Sequence, residues 1–223
     1  MPMRAEDVTP EAMAAAFRTM RLSAGLSQID VCVRSAALKP PLKRLSSTQV
    51  SEFERGIKLP TLVNLMCLVV ASSTDGETLD LSLLQDALEK AADRSYREEG
   101  EKPSQPPLIT RRQSQVLRAD FLTEMSLSEA LRDLRKTAGM TQTELSNRTG
   151  NLKTPLKSVA VGQISGYERG SRKPGVWNLL SILVALSADG SKLDLSILQK
   201  ALATVARKGR GESTIQGLTE EST

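Results

Sequence analysis

The chain has 223 residues, with 30 Lys and Arg against 26 Asp and Glu, a formal net charge of +4, two Cys and no His. That length suits one large domain or two of about 100 residues, and 39% hydrophobic with 25% charged residues is a globular composition. The missing His excludes Ser-His-Asp and Cys-His catalysis and a Cys₂His₂ zinc site, and two thiols build neither a disulfide framework nor a Cys₄ site.

No catalytic residue, metal ligand or cofactor signal emerges, so the chain reads as a non-enzyme that needs no cofactor. Cys32 and Cys67 lie in the apolar stretches IDVCV and LMCLVV and are expected as reduced core residues. No apolar run approaches the ~18 residues that span a bilayer, and no signal peptide is visible. A cytoplasmic protein that does not engage membranes is expected.

The sequence repeats itself. Shifting it by 114 positions aligns residues 11–94 with 125–208 without a gap, with 34 identities over 84 pairs. The reading is therefore an N-terminal arm (1–10), one domain (11–94), a Pro-containing linker (95–124), a second copy of the domain (125–208) and a flexible acidic tail (209–223). Pro103 to Pro107 in the linker is a lesser candidate for a docking motif.

Within each copy the pattern is helical. Ala16 and Met20, like Ala130 and Leu134, sit at helix spacing in a first helix that Gly25 and Gly139 then end. Ser27 and Thr141 are expected N-caps of a second helix, with Gln28 and Gln142 in its first turn. A third helix is predicted over Ser47–Arg55 and Val161–Arg169, closed by Gly56 and Gly170. After Pro60 and Pro174 come very apolar helices (TLVNLMCLVVA and GVWNLLSILVAL) that suit a buried core. Ser82-x-x-Gln85 and Ser196-x-x-Gln199 read as capping boxes of a last amphipathic helix. Leu81, Leu83, Leu84 and Leu88, with Leu195, Ile197, Leu198 and Leu202, pack either within each copy or between the two. No strand alternation is sustained, so each copy is expected to be all-α.

The order [LM]-[ST]-Q-xx-[VL]…[VI]-S-xx-E-R-G-xxx-P, followed by an apolar helix, resembles the Cro/lambda-repressor (XRE) type of helix-turn-helix domain, twice in tandem. The resemblance covers about 60 residues of each copy and implies a third helix lying in the DNA major groove. It implies that Gln28 and Gln142 clamp backbone phosphate. It offers Ser47, Thr48, Gln49 and Glu52 to bases in the first copy, and Val161, Gly162, Gln163 and Gly166 in the second. Gln49 and Gln163 suit adenine, Glu52 suits cytosine N4, and Val161 a thymine methyl; the two glycines leave the second helix nearly bare. Val50, Phe53, Ile164 and Tyr167 match inward positions. Arg55, Lys58, Arg169, Arg172 and Lys173 fall where phosphates are gripped, and Glu54 and Glu168 are expected to order the turn.

One departure from the family is shared by both copies. Gln28 to Val50 and Gln142 to Ile164 each span 22 positions, longer than the usual spacing, so the turn carries an insertion containing LK-x-PLK. Pro within it cannot continue a helix. The expectation is a basic loop whose Lys39, Lys43, Arg44, Lys153 and Lys157 reach phosphates or a minor groove; the alternative is a loop packed by Leu38, Leu42, Leu152 and Leu156 with solvated lysines.

Residues 18–58 and 132–172 each carry eight basic and three acidic groups, which suits a phosphate-binding face. Two half-sites one turn apart are separated by about 34 Å, and a flexible linker of ~30 residues reaches about 30 Å. The resemblance therefore implies a bacterial or mobile-element transcription regulator, nucleoid-associated. Its partner is double-stranded DNA, bound at an asymmetric or imperfectly palindromic operator, as a homodimer or an intramolecular pseudo-dimer. The rival reading is a scaffold that binds a protein regulator, as an antiactivator or antitoxin does.

Overall fold

A computed structural model describes residues 3–97, 117–188 and 190–219. The Pro103–Pro107 segment, Asp189 and residues 220–223 lie outside the described residues. The first half runs β1 (Met3–Arg4), α1 (Pro10–Ser23), α2 (Gln28–Ala36), α3 (Ser47–Glu54), α4 (Leu62–Ala71), β2 (Thr78–Leu79) and α5 (Leu81–Arg97). The second runs β3 (Leu117–Arg118), α6 (Glu124–Thr137), α7 (Gln142–Gly150), α8 (Val161–Glu168), α9 (Val176–Leu186), β4 (Lys192–Leu193) and α10 (Ser196–Thr219). Each half also has one turn of 3-10 helix after its first strand, at Ala5–Asp7 and Ala119–Phe121.

Local chemistry starts and stops these helices as the sequence suggests. Ser27 and Thr141 accept from the backbone N–H of Asp30 and Glu144, whose carboxylates return the bond to the cap N–H, so α2 and α7 open on complete capping boxes. Gly25, Gly139, Gly56 and Gly170 take φ values of +67 to +72° where the helices end, a conformation that disfavours any side chain. The very apolar α4 and α9 fill the centre: Cys67, Leu68, Val69 and Val70 have no exposure, and neither do Leu183 and Val184. Each such Leu or Val contributes about 1.5–3 kcal/mol relative to an exposed one. The amphipathic α5 lies along α1, and α10 along α6. Cys32 and Cys67 are buried free thiols, and burial pushes both above the usual thiol range.

Three features differ from the sequence reading. First, the fold is mostly helical but has two small antiparallel ladders, and each joins one half to the other. Met3 pairs with Leu193 and Arg4 with Lys192; Thr78 pairs with Arg118 and Leu79 with Leu117. Strands of two residues are too short to show an alternating pattern. The exchange is reciprocal: the Ala5 N–H donates to Ser191 O, and the Ala119 N–H to Glu77 O, both at 2.7 Å. A further bridge pairs Thr61 with Gly175, equivalent positions at the starts of α4 and α9. The arm and the last linker residues are thus part of the packed structure.

Second, Gln85 and Gln199 do not cap their own helices. Gln85 donates to Leu193 O (3.2 Å) and accepts from the Leu195 N–H (3.1 Å). Gln199 donates to Leu79 O (2.9 Å) and accepts from the Leu81 N–H (3.0 Å). The Ser82 N–H turns to Asp80 Oδ1 instead. Leu81, Leu84, Leu88, Leu195, Leu198 and Leu202 belong to one hydrophobic cluster that includes residues of both halves, and α5 also meets α10 across the halves. The halves are held by packing, and residues 98–116 of the linker lie outside the described residues. Third, α10 continues to Thr219 through the segment read as a tail; its three glycines lower helix propensity without ending the backbone ladder.

Candidate nucleic-acid interface

The site is built by locking α1, α2 and α3 together, and likewise α6, α7 and α8. Arg21 grips Glu54 with two parallel hydrogen bonds, Nε to Oε1 at 2.5 Å and Nη2 to Oε2 at 2.8 Å. Its Nη1 donates to Leu26 O in the turn before α2. Arg135 repeats all three bonds with Glu168 and Met140 O, at 2.6, 2.8 and 2.7 Å. The side chains are 10% and 4% exposed in one pair and 13% and 3% in the other. A fork of this kind in a dry setting fixes angles between helices rather than adding much net stability. The neighbouring carboxylate raises both arginines further above their ordinary value. Burial pushes Glu168 up, but the hydrogen bonds from Arg135 and Gln142 and the charges of Arg135 and Arg132 outweigh it, leaving the carboxyl below its usual range.

Gln28 and Gln142 join the same lock. Gln28 Nε2 donates to Glu54 Oε2 at 2.9 Å, and Gln142 Nε2 to Glu168 Oε2 at 2.8 Å. One amide hydrogen of each is engaged, which leaves a second for a phosphate. Glu54 and Glu168 therefore order the turn, as expected. The sequence reading missed Arg21 and Arg135, although the two arginines occupy equivalent, identical positions in the repeat.

The inserted loops are anchored from below. The Leu45 N–H donates to Ser35 Oγ and the Val159 N–H to Thr149 Oγ1, each at 2.9 Å. The Lys43 N–H donates to Cys67 Sγ at 3.1 Å and the Lys157 N–H to Ser181 Oγ at 2.9 Å. Leu42 and Leu156 are buried, and Leu38 and Leu152 are partly buried against the core. Lys39, Lys43, Arg44, Lys153 and Lys157 are all exposed. The two expectations for this loop are thus compatible: leucines hold it down, and the cations face solvent.

On α3 and α8, Val50, Phe53, Ile164 and Tyr167 are buried, as their inward positions require. Ser47, Thr48, Val161 and Gly162 are exposed at the first turns of α3 and α8. Gln49 and Gln163 are half-buried, and each Oε1 accepts from the cap N–H of its helix, Ser46 at 3.0 Å and Ala160 at 3.1 Å. They close the helix start, so a two-bond contact to adenine requires sharing or releasing that oxygen. Glu52 is held at both oxygens by Lys58 Nζ, at 2.9 and 3.0 Å, which competes with a bond from cytosine. Gly166 corrects the picture of a bare second helix. It is buried, because the Arg172 side chain lies over it: a Cβ there would stand 3.3 Å from Arg172 Cδ. Gly162 has nothing within 4 Å of such a Cβ. Arg55, Lys58, Arg169, Arg172 and Lys173 are exposed in the loops after α3 and α8.

Among the described residues no group of His, Cys, Asp and Glu could hold a metal ion, and no helix is long and apolar enough to cross a membrane. No curated protein and no solved structure matches the chain. Residues 126–195, about a third of the chain and running from within α6 to just past β4, match the family model described as "Helix-turn-helix domain". The chain is thus similar, over that span, to helix-turn-helix domains, a likeness that supports a DNA-binding fold and, at that coarse level, a DNA-binding regulator.

Proposed function

We propose that the chain is a sequence-specific, double-stranded DNA-binding transcription regulator that uses both halves, without catalysis or cofactor. The observation that carries this reading is the Arg-Glu-Gln lock. It positions α8 within the matched helix-turn-helix span and recurs bond for bond around α3 in the unmatched first half. Each lock presents the first turn of a short helix beside exposed cations. In this reading Ser47, Thr48, Val161 and Gly162 lead into adjacent major grooves, and Gln28, Gln142 and the loop cations hold phosphates. The residue sets differ, so the operator is asymmetric or imperfectly palindromic. The strand exchange and the Thr61–Gly175 bridge tie the halves directly, so packing rather than linker reach sets the half-site spacing. The protein acts as an intramolecular pseudo-dimer, placed with the nucleoid in the cytoplasm.

Filter binding of the full chain to genomic DNA fragments, followed by sequencing of the retained ones, tests this. Retention at low salt that falls steeply at moderate salt, with two unlike half-sites at fixed spacing, is the expected result. No retention at any salt, or two identical half-sites, counts against it.

One observation favours a second reading, a scaffold for a protein regulator. Leu22, Ile29 and Val33 are 39%, 67% and 65% exposed on the first half, where the second half has Lys136, Thr143 and Asn147. Singly exposed apolar residues are common, so this reading gains weight only if duplex DNA is not retained.

A further inference from the structure

The loops after α3 and α8 fold back onto the same place of each helix, but with different chemistry. In the first half the Lys58 N–H approaches Glu52 O (3.4 Å), and in the second the Arg172 N–H donates to Gly166 O (3.2 Å). Lys58 is then neutralised by the Glu52 carboxylate. Position 166 has no carboxylate to offer, and among the described residues Arg172 forms no ion pair. Its aliphatic stem fills the space that the missing side chain leaves, with Cδ, Cγ and Cβ at 3.3, 3.5 and 3.6 Å from where a Cβ of residue 166 would be. The stem thus crosses the helix at the position matching Glu52, which belongs to the base-facing set, and the residue remains exposed.

We propose that Arg172, lying across Gly166 from the following loop, is the base-reading side chain of the second half and selects guanine, while the Glu52–Lys58 pair leaves the equivalent base of the first half unread. This rests on the DNA-binding reading above and reassigns Arg172 from phosphate grip to base readout. An arginine fork bonds O6 and N7 of guanine together, which no other base offers in the major groove. Lysine lacks that planar fork. Glycine at 166 is part of the device, because even a methyl group there crowds the stem.

The test uses the full chain on a series of operator duplexes, each with one base pair changed, for wild type, R172A, R172K and G166A. Thermal unfolding checks that each variant is folded. The wild type is expected to prefer guanine at one position of the second half-site by about 5- to 150-fold. R172A flattens that preference and leaves the other positions unchanged. R172K flattens it too while keeping the salt dependence, and G166A blunts it. If R172A weakens all duplexes equally, Arg172 only grips phosphate; if it changes nothing, it makes no contact. Either result overturns the proposal while leaving the DNA-binding reading standing. A wild type that retains no duplex ends both.

Discussion

Gln85 on α5 and Gln199 on α10 are mirror partners: they are 6% and 2% exposed, and each amide bonds one N–H and one C=O of the opposite half, with Gln85 Nε2 also donating to Glu89 Oε1 on its own helix. Replacing Gln85 by Leu leaves the Leu195 N–H buried without this partner, and replacing Gln199 does the same to the Leu81 N–H; the two carbonyls keep their ladder bonds. An unmet buried group costs about 1–3 kcal/mol, so Q85L and Q199L are each expected to lower stability by about that much in urea unfolding. Near-neutral substitutions would mean that water or a shifted strand takes over these bonds.

Removing Arg135 strands a buried carboxylate. R135M is expected to destabilise the chain by about 3–5 kcal/mol at neutral pH, mostly through the unpaired Glu168. The sign with pH follows from linkage. The folded carboxyl is held below its ordinary 4.5, so its contribution is complete above that value and fades as pH falls through the lowered one. The gap between wild type and R135M should therefore narrow in acid. Urea melts at pH 7 and in steps below pH 4.5 check this, and a gap that widens on acidification would contradict it.

Two glycines should respond with opposite sign to one methyl group. Gly139 has φ +67° and open space around a Cβ, so G139A isolates the backbone term and is expected to cost about 1–2 kcal/mol. Gly162 sits inside α8 with equal room and ordinary helical φ. G162A is expected to gain about 0.5–1 kcal/mol. Paired thermal melts decide it.

The loop cations should act on DNA affinity and not on stability. Lys39, Lys43, Lys153 and Lys157 are exposed, while the backbone of their loops is held by Ser35, Cys67, Thr149 and Ser181. Alanine at each phosphate contact is expected to reduce the slope of log K against log salt by about 0.9. Titrations at several salt concentrations measure it, and an unchanged slope in the quadruple variant would leave these lysines as solvated surface only.

What the sequence made legible was local. The caps at Ser27 and Thr141, the left-handed glycines and the buried α4 and α9 depend on residues a few positions apart, and they stand where the patterns put them. The Arg21–Glu54 pair spans 33 positions, so no periodicity announces it; two identical residues at equivalent places in the repeat were the signal available. Gln85 fits a capping box equally well on local grounds, and only the arrival of the other half's strand decides its partner. Gly166 looks like a missing side chain until the loop that covers it is seen. Pairing across the halves is a tertiary event, and two-residue strands leave no imprint in hydropathy.

The opening strand of each half is seated in the other, so each half borrows one edge from a segment at the far end of the chain or from across its middle. Trimming the first seven residues would strip an edge from the distant C-terminal unit, taking away the partners of Leu193 and Lys192.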